Sequence, residues 1–161
     1  MTLKLIQMAY AQSNVVKEWL EQLRIDLIAE YDRLGLRASG NYEKSLYYFA
    51  TDKRAIMYGA KYAYQMQYGR NPGTYPPRKA IEDWIDAKKI ELKNGISKSS
   101  LAYLIQRKIF RDGIKVPNKF NQGGVISNVI TEERIDTLLT QLKFVNALQI
   151  SSDIIEIIKA A

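Results

Sequence analysis

Glu82, Asp83 and Asp86 place three carboxylates within one short stretch, "PPRKAIEDWIDAKKI". Paired carboxylates can serve as general acid and base, or can hold magnesium. Acids in the first turns of a helix also complement its dipole, and we adopt that plainer reading. Glu132 and Glu133 take the same explanation. The chain has no histidine and no cysteine. That removes thiolate metal sites, the usual zinc ligands, and Ser-His or Cys-His nucleophile pairs. Any chemistry would rest on carboxylates, Lys, Tyr or Ser. Gly69, Gly73, Gly123 and Gly124 match neither the P-loop nor the dinucleotide fingerprint, so they read as turn glycines. No phosphate cradle, thiolate site or histidine site is indicated, so no cofactor and no metal are expected, and an enzyme using Glu, Asp or Tyr is the least favoured reading.

Tyrosine is the unusual residue. Seven of the eleven tyrosines fall between Tyr42 and Tyr68. Rings beside Lys and Arg can stack on bases. Tyrosine also suits a half-buried sheet and is enriched at protein interfaces. No RNA-binding or helix-turn-helix pattern accompanies these rings, so core or interface is preferred. The net charge of +7 is also uneven. Residues 70–120 carry twelve Lys/Arg against five Asp/Glu, whereas residues 121–161 carry three against five. A basic middle third can meet a polyanion, an acidic protein face or only water.

The positioning elements are read from spacing. Val16, Leu20, Leu23, Leu27, Tyr31 and Leu34 recur every three or four residues, which predicts a helix from Ser13 to Leu34. Ser13 or Asn14 would cap it and Gly35 would stop it. Ser45–Ala50 and Ala55–Tyr58 are rich in β-formers, with "TDKR" as a turn in which Asp52 can bond its own backbone. Large side chains on both faces of the first strand predict cover on both sides. Tyr62–Tyr68 fits a short helix or a continuing strand. "GRNPGTYPP" holds two Gly and three Pro and breaks both ladders.

A helix from about Arg78 would carry Ile81, Trp84, Ile85 and Lys88 on one face, with Lys88 and Lys89 near its end. Asn94–Gly95 marks a turn, and Ser97 or Ser99 a cap. Leu101, Leu104, Ile105 and Ile109 define the next helix, with Arg107, Lys108 and Arg111 as its basic face and Gly113 as its stop. A loop follows, with a short strand at Val125–Val129. Thr131 caps a last helix carrying Ile135, Leu138, Leu139, Leu142, Val145 and Leu148. "SSD" interrupts it before the apolar "IIEIIKAA". The expected class is α+β: a small antiparallel sheet, a hairpin near 45–60, packed with about five helices. One domain would span 1–161, with a flexible segment at 1–12 and an apolar segment at 150–161 that docks on its own domain or on a neighbour. "MTLKLIQMAYAQ" lacks the charged-then-apolar pattern of a signal peptide, and no apolar run nears the ~20 residues of a membrane span. A soluble chain in the cytosol is expected.

The order of these motifs resembles the head–tail connector and tail-completion (neck) family of long-tailed bacteriophages. "SGNYEKSLYY" stands where that family has a Gly followed by a Ser-Leu strand. "YAYQMQYG" matches its aromatic stretch, with Gln67 where an acid is common. "PPRKAIEDWIDAKKI" matches a Pro hinge before an Ile-x-x-Trp-Ile helix. "LIQRKIFRDGI" matches a helix closed by an Ile-x-x-x-Gly pattern, and Pro117 and Phe120 follow as a Pro and an aromatic do in the family. The resemblance covers about Ser39 to Phe120.

It implies a structural virion protein forming a homo-oligomeric ring in the neck, between portal and tail, through which DNA passes. Its partners would be itself, portal, adaptor or tail proteins, and DNA non-specifically in the channel, with no membrane. It would reside in the virion neck or tail, and in the host cytoplasm during assembly. On that reading Tyr62, Tyr64, Tyr68 and Tyr75 face a neighbouring subunit, and Ile81, Trp84 and Ile85 anchor their helix. The alternative is a small basic nucleic-acid-binding protein. It would act through phosphate contacts from Arg70, Arg78, Lys79, Lys88, Lys89, Arg107, Lys108 and Arg111.

Overall fold

The computed structural model describes residues 2–51, 54–92 and 95–160. Among them are six helices and one two-stranded antiparallel sheet, an α+β fold. Helix α1 spans Thr2–Arg33. The stripe read from spacing forms the spine of the main core: Leu20, Leu23, Leu27 and Tyr31 are each at most 4% exposed. Burying a leucine in this way is worth about 1.5–3 kcal/mol. The helix starts well before the expected Ser13, so Ser13 and Asn14 lie inside it rather than at its start. Residues 2–12 hold no Gly or Pro, and their Leu, Met, Gln, Lys and Ala are good helix formers.

Helix α2 (Asn41–Ser45) seats Tyr42 in that core, its ring centre 4.7 Å from that of Tyr31. Burial pushes the Tyr42 hydroxyl up to about 12. Ser45 Oγ donates to Tyr42 O at 2.6 Å and accepts the Ala60 N–H at 2.9 Å, fixing both ends of the hairpin.

The hairpin is present as expected: β1 (Tyr47–Ala50) pairs with β2 (Ala55–Tyr58), Tyr47 opposite Tyr58 and Ala50 opposite Ala55. Asp52, with its expected backbone bond, lies outside the described residues. The expected cover on both faces is not found. Tyr48, Ala50 and Met57 pack on the α1 core, whereas Tyr47 and Phe49 are 59% and 52% exposed. Side chains alternate across a strand, so a single helix can cover only every second residue.

The strand expected at Val125–Val129 is instead a tight turn, in which Asn128 N–H bonds Gly124 O and Ile130 N–H bonds Ile126 O. Val125 and Val129 plug the core beside α1 and α2, so burial rather than strand pairing explains these β-branched residues.

Thr131 does cap the last helix, accepting the Arg134 N–H on Oγ1 at 3.2 Å. That helix, α6, runs unbroken over Glu132–Ala160. The expected interruption at "SSD" does not occur. Ser151 donates to Ala147 O at 2.9 Å, and Gln149 Nε2 donates to Asp153 Oδ1 at 3.0 Å, so these polar groups are satisfied within the helix. Asn128 donates to Glu30, and Arg134 pairs with Asp26 at 2.6 Å. Later positions in α6 thus meet earlier ones in α1, and the two helices run antiparallel.

A second apolar cluster lies between α4 (Arg78–Ala87) and α5 (Lys98–Asp112). Ile81 and Ile85 pack there on Ala102, whose small side chain lets the helices approach. Ile90, Leu101, Ile105 and Ile109 close the sides. Ser97 caps α5, accepting the Ser100 N–H at 3.1 Å.

Candidate interaction surface

Helix α3 (Ala63–Tyr68) resolves the ambiguity left open in the tyrosine-rich stretch. Its inward face is polar at one point only. Gln67 is 9% exposed and reaches the 125–129 turn. Its Oε1 accepts the Ile126 N–H at 2.8 Å, and its Nε2 donates to Ser127 Oγ at 2.8 Å. Asn121 Nδ2 adds a bond to Met66 O at 2.8 Å. Sequence reading noted Gln67 only as a departure from a family pattern. Its partners lie about sixty positions away in the chain, so no local signal marked it.

Gly69 and Gly113 close the two quoted family-like motifs, and they sit side by side. Arg70 and Ile114 exchange N–H···O bonds of 2.8 Å in both directions. A Cβ on Gly69 would stand 2.1 Å from Ile114 O, and one on Gly113 2.3 Å from Arg70 O. Both glycines have positive φ, 82° and 70°. The close backbone approach and the dihedral each demand glycine. Gln106 Nε2 also donates to Pro76 O at 2.7 Å, tying the Pro hinge to α5.

The four tyrosines expected at an interface divide into three settings. Tyr64 and Tyr68 form an outward pair, ring centres 4.8 Å apart, 66% and 62% exposed. Tyr62 lies at the core edge, where burial raises its hydroxyl pKa and Tyr31 adds to the effect. Tyr75 stacks on Phe110 at 4.2 Å, nearly parallel. The hairpin supplies another exposed pair that sequence reading left out: Tyr47 and Tyr58, stacked at 4.8 Å. The period-two placing of Tyr47 and Phe49 was the available signal.

Of the expected helix anchors, Ile81 and Ile85 are buried, but Trp84 remains 42% exposed at the edge of the stripe. The acids of α4 are not explained by the dipole, since none lies in the first turn. They answer nearby cations instead: Lys79–Asp83 at 2.7 Å, Lys98–Asp86 at 2.8 Å and Arg78–Glu82 at 3.8 Å.

The basic residues are similarly engaged. Arg70 donates to Thr74 O, Arg78 to Ser99 O, and Lys88 to Gly35 O. Arg111 and Lys108 converge on Asp112 and hold its carboxyl well below the usual range. Among the described residues, Lys89 and Arg107 alone of the eight have side chains with no such partner.

An open depression of about 400 Å³ beside α6 is lined by Asp26, Asn128, Arg134 and Thr137 among others. Among the described residues, no group of three or more Asp/Glu could hold a metal ion, and no helix is long and apolar enough to cross a membrane. Comparison with known protein families, curated proteins and solved structures finds no match.

Proposed function

We propose that the chain is a structural, non-catalytic protein of a tailed bacteriophage, forming a homo-oligomeric ring in the head–tail connector or tail-completion complex. The observation that carries the reading is the Tyr64–Tyr68 pair. Two large rings face outward on a short helix that Gln67 and Asn121 pin from behind. Rigid aromatics of this kind anchor interfaces at low entropic cost. A ring needs a heterologous contact whose rotation closes. The order of the Ser-Leu, aromatic-Gly, Pro-hinge and Ile-x-x-x-Gly motifs supports assigning that contact to a neck protein.

The rival reading, phosphate binding by the basic middle third, is weakened by the pairing of Arg78, Lys79, Lys108 and Arg111 with carboxylates.

The test is mass by light scattering with negative-stain imaging, alone and with phage portal or tail components. A closed ring that Tyr64→Ala/Tyr68→Ala prevents supports the proposal. A chain that ignores phage components yet binds DNA with a steep salt dependence overturns it.

A further inference from the structure

Helix α6 inverts its polarity along its length. In its first half the half-buried positions are Arg134, which pairs with Asp26 of α1, and then the apolar Leu138, Leu142 and Val145. Beyond Val145 the half-buried positions are Asn146, Gln149 and Asp153, all polar. Over the same stretch the large apolar residues turn outward. Phe144, Leu148, Ile150, Ile154, Ile155 and Ile158 are 51–69% exposed. At about 100° per residue, the stripe Phe144, Leu148, Ser151, Ile155, Ile158 lies roughly 145° round the helix from the one facing α1. Its spacing of four, three, four and three is a heptad seam. A helix meant only to cover α1 would carry its isoleucines on the other side.

The composition of the seam selects its occupant. Residues 144–158 contain no Lys or Arg but carry Asp153 and Glu156, and only Lys143 and Lys159 flank them. A helix lying on anionic lipid or nucleic acid needs cations along its border, so neither suits this one. The seam is nearly symmetric about its centre, with bulky residues at both ends and Ser151 in the middle. Set antiparallel against a second copy of itself, Phe144 meets Ile158 and Leu148 meets Ile155. The two Ser151 residues then cross at the axis, where small side chains permit close approach. Antiparallel helices also oppose their dipoles favourably. The four apolar seam residues are 51–69% exposed and offer on the order of 400 Å² per copy. That is about half of the ~800 Å² per partner of a standard stable interface, the range of a pair that dissociates on dilution.

We propose that two copies of the chain pair through antiparallel α6 seams centred on Ser151. This inference does not rest on the connector reading, because the seam and the Tyr64–Tyr68 pair sit on separate elements and can be disrupted separately.

The experiment is sedimentation of the full chain across a dilution series in the Tyr64→Ala/Tyr68→Ala background, which removes the aromatic face. The expected result is a species of twice the 18.5 kDa chain mass. Leu148→Glu/Ile155→Glu should weaken it on the order of a thousandfold or more, with helicity by circular dichroism unchanged. Cysteine pairing gives a second measurement, since the chain has no native cysteine. Ser151→Cys should oxidise to a covalent dimer. Phe144→Cys mixed with Ile158→Cys should give the mixed dimer in preference to either self-pair. A single-chain mass at every concentration with no Ser151→Cys dimer overturns the proposal. So does an oligomer indifferent to Leu148→Glu/Ile155→Glu, or flotation with phosphatidylcholine vesicles in place of self-association.

Discussion

Replacing Gln67 by Leu keeps nearly the same volume in the core and removes every polar contact between α3 and the 125–129 turn through this side chain. Gln67 accepts the Ile126 N–H at 2.8 Å and the Ser127 N–H at 3.4 Å, and donates to Ser127 Oγ at 2.8 Å. The Ile126 N–H would be left without its acceptor, which costs about 1–3 kcal/mol for a buried donor. The longer Ser127 contact adds less, and Ser127 is exposed, so its hydroxyl can turn to water. The expected loss is about 2–4 kcal/mol, a drop of roughly 5–15 °C in Tm for a chain of this size. Urea unfolding followed by far-ultraviolet circular dichroism would measure it. Ser127→Ala should cost less than about 1 kcal/mol, and the double variant should lose little more than Gln67→Leu alone. A Gln67→Leu variant within about 0.5 kcal/mol of the parent, or a Ser127→Ala variant equally damaging, would refute the reasoning. Loosening α3 should also weaken self-association without altering Tyr64 or Tyr68.

Two further outcomes are expected. Gly69→Ala should destabilise by about 3 kcal/mol or more, because its Cβ would meet Ile114 O at 2.1 Å from a positive φ; thermal melts would detect this, and a near-neutral result would rule out the Arg70–Ile114 bridge as drawn. Glu30 sits at about 2 rather than 4.5 in the fold, held down first by Arg33 and then by Asn128. A depressed carboxyl contributes stability above its unfolded pKa and loses it as the pH falls through the folded one. Glu30→Gln should therefore cost stability at neutral pH. The difference should fade between pH 4.5 and 2, and it should stay near 1 kcal/mol because the Arg33 side is open to solvent. Paired urea midpoints at neutral and acid pH would check it.

Leu20, Leu23, Leu27 and Tyr31 could be read directly because helical spacing and burial agree there. The hairpin and the Ser97 and Thr131 caps were legible for the same reason, as each depends on neighbours in the chain. The misreadings share a different cause. Val125 and Val129 have strand-forming side chains, but their burial is decided by α1 and α2, far away in sequence. Ser151 and Ser152 resemble a break, yet the Ser151 hydroxyl returns to Ala147 O and the helix continues. Trp84 shares a stripe with Ile81 and Ile85 but falls at its margin. In the candidate surface, the tyrosines were visible by composition. Their division into an outward pair, a core-edge ring and a ring stacked on Phe110 was not, because it follows from tertiary neighbours. Gln67 is the extreme case, a polar side chain whose role exists only once the turn is folded against it.

The placement of the two tryptophans has a practical consequence. Trp19 packs against the main core beneath the Arg134 guanidinium, 5.5 Å from its ring centre. Trp84 lies half-open on α4, the helix that supplies Ile81 and Ile85 to the second cluster. Each apolar cluster therefore carries its own optical reporter. Fluorescence melts of Trp84→Phe and Trp19→Phe chains would follow one cluster each. Superimposable traces would mark a single cooperative unit. Separated traces would mean that the Arg70–Ile114 bridge joins two pieces able to melt in turn.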